Sequence, residues 1–237
     1  MPSALLEVDN LTGGYGKKTV LQGVSVRVDE GEVVALLGHN GAGKSTTLKT
    51  ILGLLRARGG EVRFAGRTWA NGDPAENVRR GIALVPQGRG VFPDLTLIEN
   101  LVLGAYTQSD RATTRQRIDE ILELFPALAD RRNQNVGTMS GGQQQMVAVG
   151  TALMQRPRLM MMDEPSIGLA PVVVQRVLQA AAQINQRFGT AILIVEQNIK
   201  TALAMAQRAY VMKSGRIVLE KPAAELLGAR ESWWELY

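Results

Sequence analysis

The residues best equipped for chemistry begin at Gly38-His39-Asn40-Gly41-Ala42-Gly43-Lys44-Ser45, which fits the spacing G-x-x-x-x-G-K-[ST]. Glycines at these positions let a loop curl until its backbone N–H groups converge on phosphate oxygens. A helix opening at the lysine adds positive potential at the same spot. Lys44 is then expected to bridge the β- and γ-phosphates of a nucleotide, with Ser45 offering its hydroxyl to Mg²⁺. The expected nucleotide contacts run from Gly38 through Thr46.

A second group supports this reading. Leu159-Met160-Met161-Met162-Asp163-Glu164 is an apolar run ending in two acids. In open α/β sheets, functional groups gather at the carboxyl ends of strands. Asp163 is expected to hold the Mg²⁺, directly or through water, and Glu164 to polarise the attacking water. Two acids alone would fit a solvated turn; paired with a phosphate loop they point to phosphoryl chemistry. The methionines read as buried strand filler, not as thioether ligands.

These groups need a scaffold. Val33 to Leu37 is a continuous apolar run, as expected of a strand buried on both faces, and a helix is expected from about Lys44 to Leu55. Leu5 to Leu11 and Val20 to Val28 read as strands, with Val24, Val26 and Val28 alternating up to the turn Asp29-Glu30-Gly31. Glu61 to Phe64 and Ile82 to Val85 read the same way. From Gly88 to Arg156 the period becomes helical: Ile118, Ile121, Leu122 and Phe125 recur together, as do Met146, Val149, Ala152 and Leu153. This stretch, 88–156, is expected to be a helical subdomain inserted into one domain spanning 1–237. Leu159 to Met162 and Ala191 to Val195 return as buried strands flanking a helix from about Pro171 to Phe188, an order that implies a parallel sheet in an α/β fold. Ala209 to Leu219 reads as a hairpin turning at Ser214-Gly215, followed by a short helix.

Composition removes several alternatives. The 237 residues contain no cysteine, which excludes disulfides and thiolate metal sites and suits a reducing compartment. No apolar run approaches the roughly 18 residues needed to cross a bilayer, and the N-terminus carries no secretory pattern. The net charge of +5 comes from scattered residues, with no basic run interleaved with aromatics, so no nucleic-acid partner is expected.

Between the phosphate loop and the acidic strand lies Met139-Ser140-Gly141-Gly142-Gln143. With it, nearly the whole chain resembles the ATPases of ABC transporters. Their fold is a P-loop NTPase with a parallel core sheet, an N-terminal antiparallel β subdomain and an inserted helical subdomain. On residues alone, Ser140 and two glycines opening a helix make another anion site. The resemblance implies that two ATPase domains pair head to tail, so that Ser140, Gly141, Gly142 and Gln143 of one cap the ATP held by the other. Met139 departs from the usual leucine. Tyr15 falls where the family stacks an aromatic on adenine, and Gln87 where a glutamine meets Mg²⁺ and water. Gly88 to Asp94 would face the membrane subunit's coupling helix. The family's switch histidine is replaced by Gln197, and Ala170 stands where many relatives have aspartate. His39, the sole histidine, holds a variable loop position and is expected to act through its backbone.

Pro86-Gln87-Gly88-Arg89-Gly90-Val91-Phe92, the stretch Asp163 to Pro171, and Val195-Glu196-Gln197-Asn198 together resemble the LivF-type ATPase subunits of branched-chain amino-acid importers. ATPase subunits of urea and amide importers are close lookalikes. The resemblance implies ATP and Mg²⁺ as cofactors, and a second ATPase subunit, preferably a different paralogue, although a homodimer stays open. It further implies two membrane permease subunits, an external binding protein acting indirectly, and a place on the cytoplasmic face of the cell membrane. An exporter ATPase and a non-transport ABC ATPase are the rivals. Neither fused membrane spans, nor a long coiled-coil insertion, nor an appended regulatory domain of sugar-importer type is expected. Trp233-Trp234 is expected to pack at an edge.

Overall fold

The computed structural model describes residues 4–68, 72–88 and 90–228. Trp233-Trp234 and Arg89 lie outside the described residues. The core is a six-stranded sheet in the order β10-β9-β3-β8-β7-β6. Its strands are β3 (Val33–Leu37), β6 (Ile82–Val85), β7 (Leu159–Asp163), β8 (Ala191–Glu196), β9 (Arg208–Lys213) and β10 (Arg216–Pro222). All neighbours pair in parallel except β10, which returns antiparallel along β9. A second, antiparallel sheet in the order β2-β1-β4-β5 is built from β1 (Ala4–Tyr15), β2 (Lys18–Asp29), β4 (Ala57–Phe64) and β5 (Arg67–Thr68).

The continuous apolar runs bury both faces of the core sheet, as their composition requires. Val34, Leu36, Met161, Leu193 and Val195 share one cluster with Leu6, Val24, Val26 and Val28 of the antiparallel sheet and Leu48 of helix α1 (Lys44–Leu52). Their neighbours one position along, Val33, Ala35, Leu37, Met160, Met162 and Ile194, face the other way. There they meet Leu101 of α3 (Leu97–Gly104), Ile121 of α4 (Arg111–Leu124), Val147 of α5 (Gly141–Leu153) and Ala181 of α6 (Pro171–Phe188). Met160, Met161 and Met162 are fully buried and serve as packing.

Between β6 and β7 the described chain holds α3, α4, α5 and 3₁₀ turns at Pro126–Arg131 and Val136–Thr138. Local signals set their ends. Thr96 and Glu99 form a reciprocal capping box at α3, and Asp110 caps α4 by accepting from the Ala112 and Thr113 amides. The first helix stops at Leu52, not Leu55, because Gly53 adopts the left-handed conformation (φ 89°) and caps it. The strand expected at Glu61 begins at Ala57, which pairs with Gly13 of β1, a strand that runs on past the expected Leu11 to Tyr15. A short helix α2 (Pro74–Arg79), capped by Asp73, has no counterpart in the sequence reading. The remaining helices are α7 (Ile199–Leu203) and α8 (Ala223–Gly228). No helix of the described residues is long and apolar enough to cross a membrane.

Candidate functional site

The parallel register brings the carboxyl ends of β3, β6, β7 and β8 to one edge, and the chemistry-bearing residues follow those ends. Leu37 is the last residue of β3, and Gly38 opens the loop. Glycine is required there: a Cβ on Gly38 would lie 2.5 Å from the Met212 carbonyl oxygen. At Gly43 a φ of 114° and Met212 Cε at 2.8 Å from a built Cβ impose the same choice. The floor of the loop is therefore set by β9. Gly41, also left-handed at φ 81°, has open space above it, where a phosphate would approach.

Lys44 begins α1 and turns back into the loop. Its Nζ donates to the carbonyls of Gly38 (2.6 Å) and His39 (3.1 Å) and pairs with Glu164 Oε1 at 3.2 Å. His39 contributes that carbonyl while its side chain is exposed. Ser45 Oγ donates to Asp163 Oδ1 at 2.9 Å. Burial pushes the Asp163 carboxyl above its ordinary range; the Ser45 hydrogen bond opposes this, and the neighbouring Glu164 charge adds to it.

Glu164 stands one residue beyond β7 in the left-handed region (φ 48°), an unusual backbone for a side chain with a Cβ. Its Oε2 accepts from Gln87 Nε2 (3.0 Å), just past β6, and from Gln197 Nε2 (2.8 Å), just past β8. The other Gln197 N–H is directed to Asn40 Oδ1 at 2.7 Å. Four segments distant in sequence thus meet at one carboxylate that is 5% exposed.

Tyr15, at the end of β1 and 46% exposed, lines the same cleft as Lys18, Asn40, Gly41, Gly43, Lys44, Ser45, Thr46, Gln87 and Glu164. The cleft measures about 340 Å³. A larger hollow of about 610 Å³, lined by α3, α4, the segment that joins them and Arg132, contains none of these residues. Ser140 to Gln143 do not line the cleft. Ser140 accepts from the Gln143 amide, and Gln143 Oε1 accepts from the Ser140 amide, a capping box that opens α5.

The residues fit a nucleotide triphosphate with a hard dication. Lys44 faces two carboxylates, Asp163 and Glu164, while Lys18 lines the cleft wall; a dication arriving with the phosphates would offset the charge of the two acids. A hydroxyl beside a carboxylate is an oxygen donor set of the kind Mg²⁺ takes, and it leaves room for waters and phosphate oxygens. Among the described residues no cluster of three or more His, Asp or Glu forms a self-sufficient metal site.

Sequence reasoning left two participants without roles, Lys18 at the cleft wall and Glu196, and it gave Asn40 a nucleotide contact without its bond to Gln197. Glu196 is 1% exposed and accepts from the Ser166 amide (3.0 Å) and the Ser166 hydroxyl (2.8 Å). Burial pushes its carboxyl up, against the pull of those hydrogen bonds. An acid closing the apolar run Ala191 to Val195 repeats the pattern at Asp163, and that was the available signal.

Comparison with known proteins agrees with the geometry. The ABC transporter family profile matches residues 21–167. The chain is 45% identical to the high-affinity branched-chain amino acid transport ATP-binding protein BraG of Pseudomonas aeruginosa, over 94% of this chain and 95% of that one. It is 36% identical to the probable branched-chain amino acid transport ATP-binding protein LivF of Archaeoglobus fulgidus, over 94% of each. A nucleotide-free ATP-binding cassette from an ABC transporter superposes with a TM-score of 0.85 at 28% identity, covering 96% of both chains. A bacterial ABC transporter cassette solved as a dimer gives 0.82 at 28% identity, over 92% of this chain and 98% of that one. Phosphate loop, acidic strand and overall shape converge with these matches: the chain belongs to the ABC transporter family, as one of its ATP-binding ATPase subunits.

Proposed function

We propose that this ATPase energises the import of branched-chain, hydrophobic amino acids through separate membrane subunits, as its similarity to BraG across 94% of the chain supports. The observation that carries the catalytic reading is the convergence of Lys44, Gln87 and Gln197 on the buried carboxylate of Glu164.

Lys44 exchanges its carbonyl and carboxylate partners for phosphate oxygens when ATP enters. The negative charge of Glu164 is then free to orient water and take its proton, while Gln87 and Gln197 keep the carboxylate in position. Ser45, Asp163 and Gln87 would hold Mg²⁺, which when bound would neutralise phosphate charge. Tyr15 offers its ring to adenine. The loop from Gly38 to Thr46 supplies backbone N–H groups, and catalysis is positioning and charge stabilisation throughout.

Ser140, Gly141, Gly142 and Gln143 lie off the cleft and cap the ATP of a second ATPase subunit, an arrangement favoured by the dimeric cassette that the chain resembles. Residues 88–156 act as an inserted helical subdomain within the single domain, and Gly88 to Asp94 face the permease. The protein then sits on the cytoplasmic face of the membrane, held by two permease subunits, with an external binding protein delivering cargo.

The test is uptake by proteoliposomes containing this chain, its permease subunits, a partner ATPase and the binding protein. ATP-dependent accumulation of labelled leucine is expected; accumulation of urea or an amide without leucine would overturn the amino-acid assignment.

A further inference from the structure

We propose that Glu196 is a positioning residue, whose buried carboxylate fastens the loop Ser166–Ala170 to the turn carrying Gln197 and thereby fixes the orientation of Glu164. This rests on the reading of Glu164 as the base that acts on water.

The residue sits where two strands end together. Glu196 closes β8 opposite Leu37, the last residue of β3. One strand over, Asp163 pairs with Val195, and the Glu164 amide donates to the Val195 carbonyl at 2.9 Å. Beyond that point the backbone ladder stops and the Glu196 side chain continues it. Oε1 accepts from the Ser166 amide, while Oε2 accepts from the Ser166 hydroxyl and from the Gln197 amide at 3.2 Å.

The contacts close a ring: Glu164 leads by chain to Ser166, Ser166 bonds to Glu196, Glu196 is bonded to Gln197, and Gln197 donates to Glu164. No ion pair among the described residues reaches Glu196, so its burial is compensated by neutral donors alone, all of them from the two segments it joins. A buried carboxylate without a cation is costly, and an apolar residue would complete a sheet edge more cheaply. What the acid adds is a bidentate tie. The loop it holds also carries Ile167, which is 49% exposed, and Leu169, which packs on the apolar core, so a push on that loop is transmitted to the base.

The experiment is steady-state ATP hydrolysis by the assembled transporter carrying Glu196→Gln, Ser166→Ala, Gln197→Ala and the two pairs that combine each of the first two with the third. Glu196→Gln keeps the size but turns a donor toward one of two backbone N–H groups, that of Ser166 or that of Gln197. It is expected to lower kcat by about tenfold, with KM for ATP changed less than about twofold. Ser166→Ala is expected to lower kcat by about threefold. Neither should lower it further once Gln197 is alanine, because all act through the same carboxylate. Unchanged kcat, a loss confined to KM, or effects that multiply with Gln197→Ala would each overturn the proposal. Should Glu196→Gln fail to fold, the Ser166 and Gln197 cycle decides alone. Glu164→Gln run in parallel separates the two readings: if it retains activity the base assignment falls, whatever Glu196 does.

Discussion

Glu164 Oε2 lies 2.8 Å from Gln197 Nε2, so the candidate base is held by a neutral amide at the position where the family's switch histidine would stand. An amide can orient the carboxylate and can donate to a γ-phosphate, but it cannot carry the charge of an imidazolium. Hydrolysis at this chain's own phosphate loop should accordingly be slow when the chain is purified alone. Total hydrolysis should rise with a different, histidine-bearing ATPase subunit and the membrane partners, because the deficit is then confined to the site that uses this chain's phosphate loop. ATPase rate against concentration, with and without that subunit, is the measurement; full cooperative activity of this chain alone, unaffected by Gln197→Ala, would leave a plain homodimer.

Glu164→Gln preserves the shape of the side chain and removes its charge. ATP binding should persist while turnover in the assembled transporter falls by about a hundredfold or more. A fall of less than about tenfold would withdraw Glu164 as the base.

Lys44→Ala removes the cation that faces the phosphates and leaves Glu164 buried with only amide donors. Nucleotide affinity should drop by at least about tenfold. Folding stability should drop as well, by about 3 kcal/mol, because one half of a buried ion pair stays behind. Calorimetric binding and thermal unfolding read the two effects separately, and unchanged ATP affinity would remove the loop lysine from the mechanism.

Asp163 gives a pH prediction with a definite sign. Its carboxyl is pushed above the ordinary value, chiefly by burial, so the native state holds the proton more tightly than the unfolded chain. Its contribution is favourable in acid and is lost as pH rises through the raised native value. Asp163→Asn keeps an oxygen for the Ser45 hydroxyl without the buried charge. The variant should unfold at a higher temperature than the parent near pH 8, with the difference shrinking toward pH 4, while Mg²⁺-dependent hydrolysis is lost. A difference that grew in acid would show that the charge, not its burial, dominates.

Much of this was legible because strand ends announce themselves. Apolar runs closed by Gly38, by Asp163-Glu164 and by Glu196 mark β3, β7 and β8, and a parallel sheet necessarily brings those ends together. The bounds of β3, β6 and α6 also match their apolar periods. What escaped was whatever depends on contacts between segments. The dependence of Gly38 and Gly43 on Met212 cannot be read from the loop, because β9 arrives far along the chain. The hydrogen bond from Gln197 to Asn40 is hidden for the same reason. Helix α1 ends early on the backbone conformation of Gly53, which its hydrophobic pattern does not encode.

The order of strands in the core sheet also sets a timetable for synthesis. The antiparallel sheet is complete once Thr68 has emerged, β1 pairing with the adjacent β2 and then with β4. β3, which anchors the phosphate loop, has to wait for both of its flanks, β8 beginning at Ala191 and β9 ending at Lys213. On the ribosome Val33–Leu37 therefore spends most of translation as an unpaired apolar segment, covered at best on the face it turns to the finished N-terminal sheet. A nascent chain stalled before Arg208 should remain a target for chaperones, and release of the hairpin β9–β10 should close the nucleotide site and the folding reaction in one step.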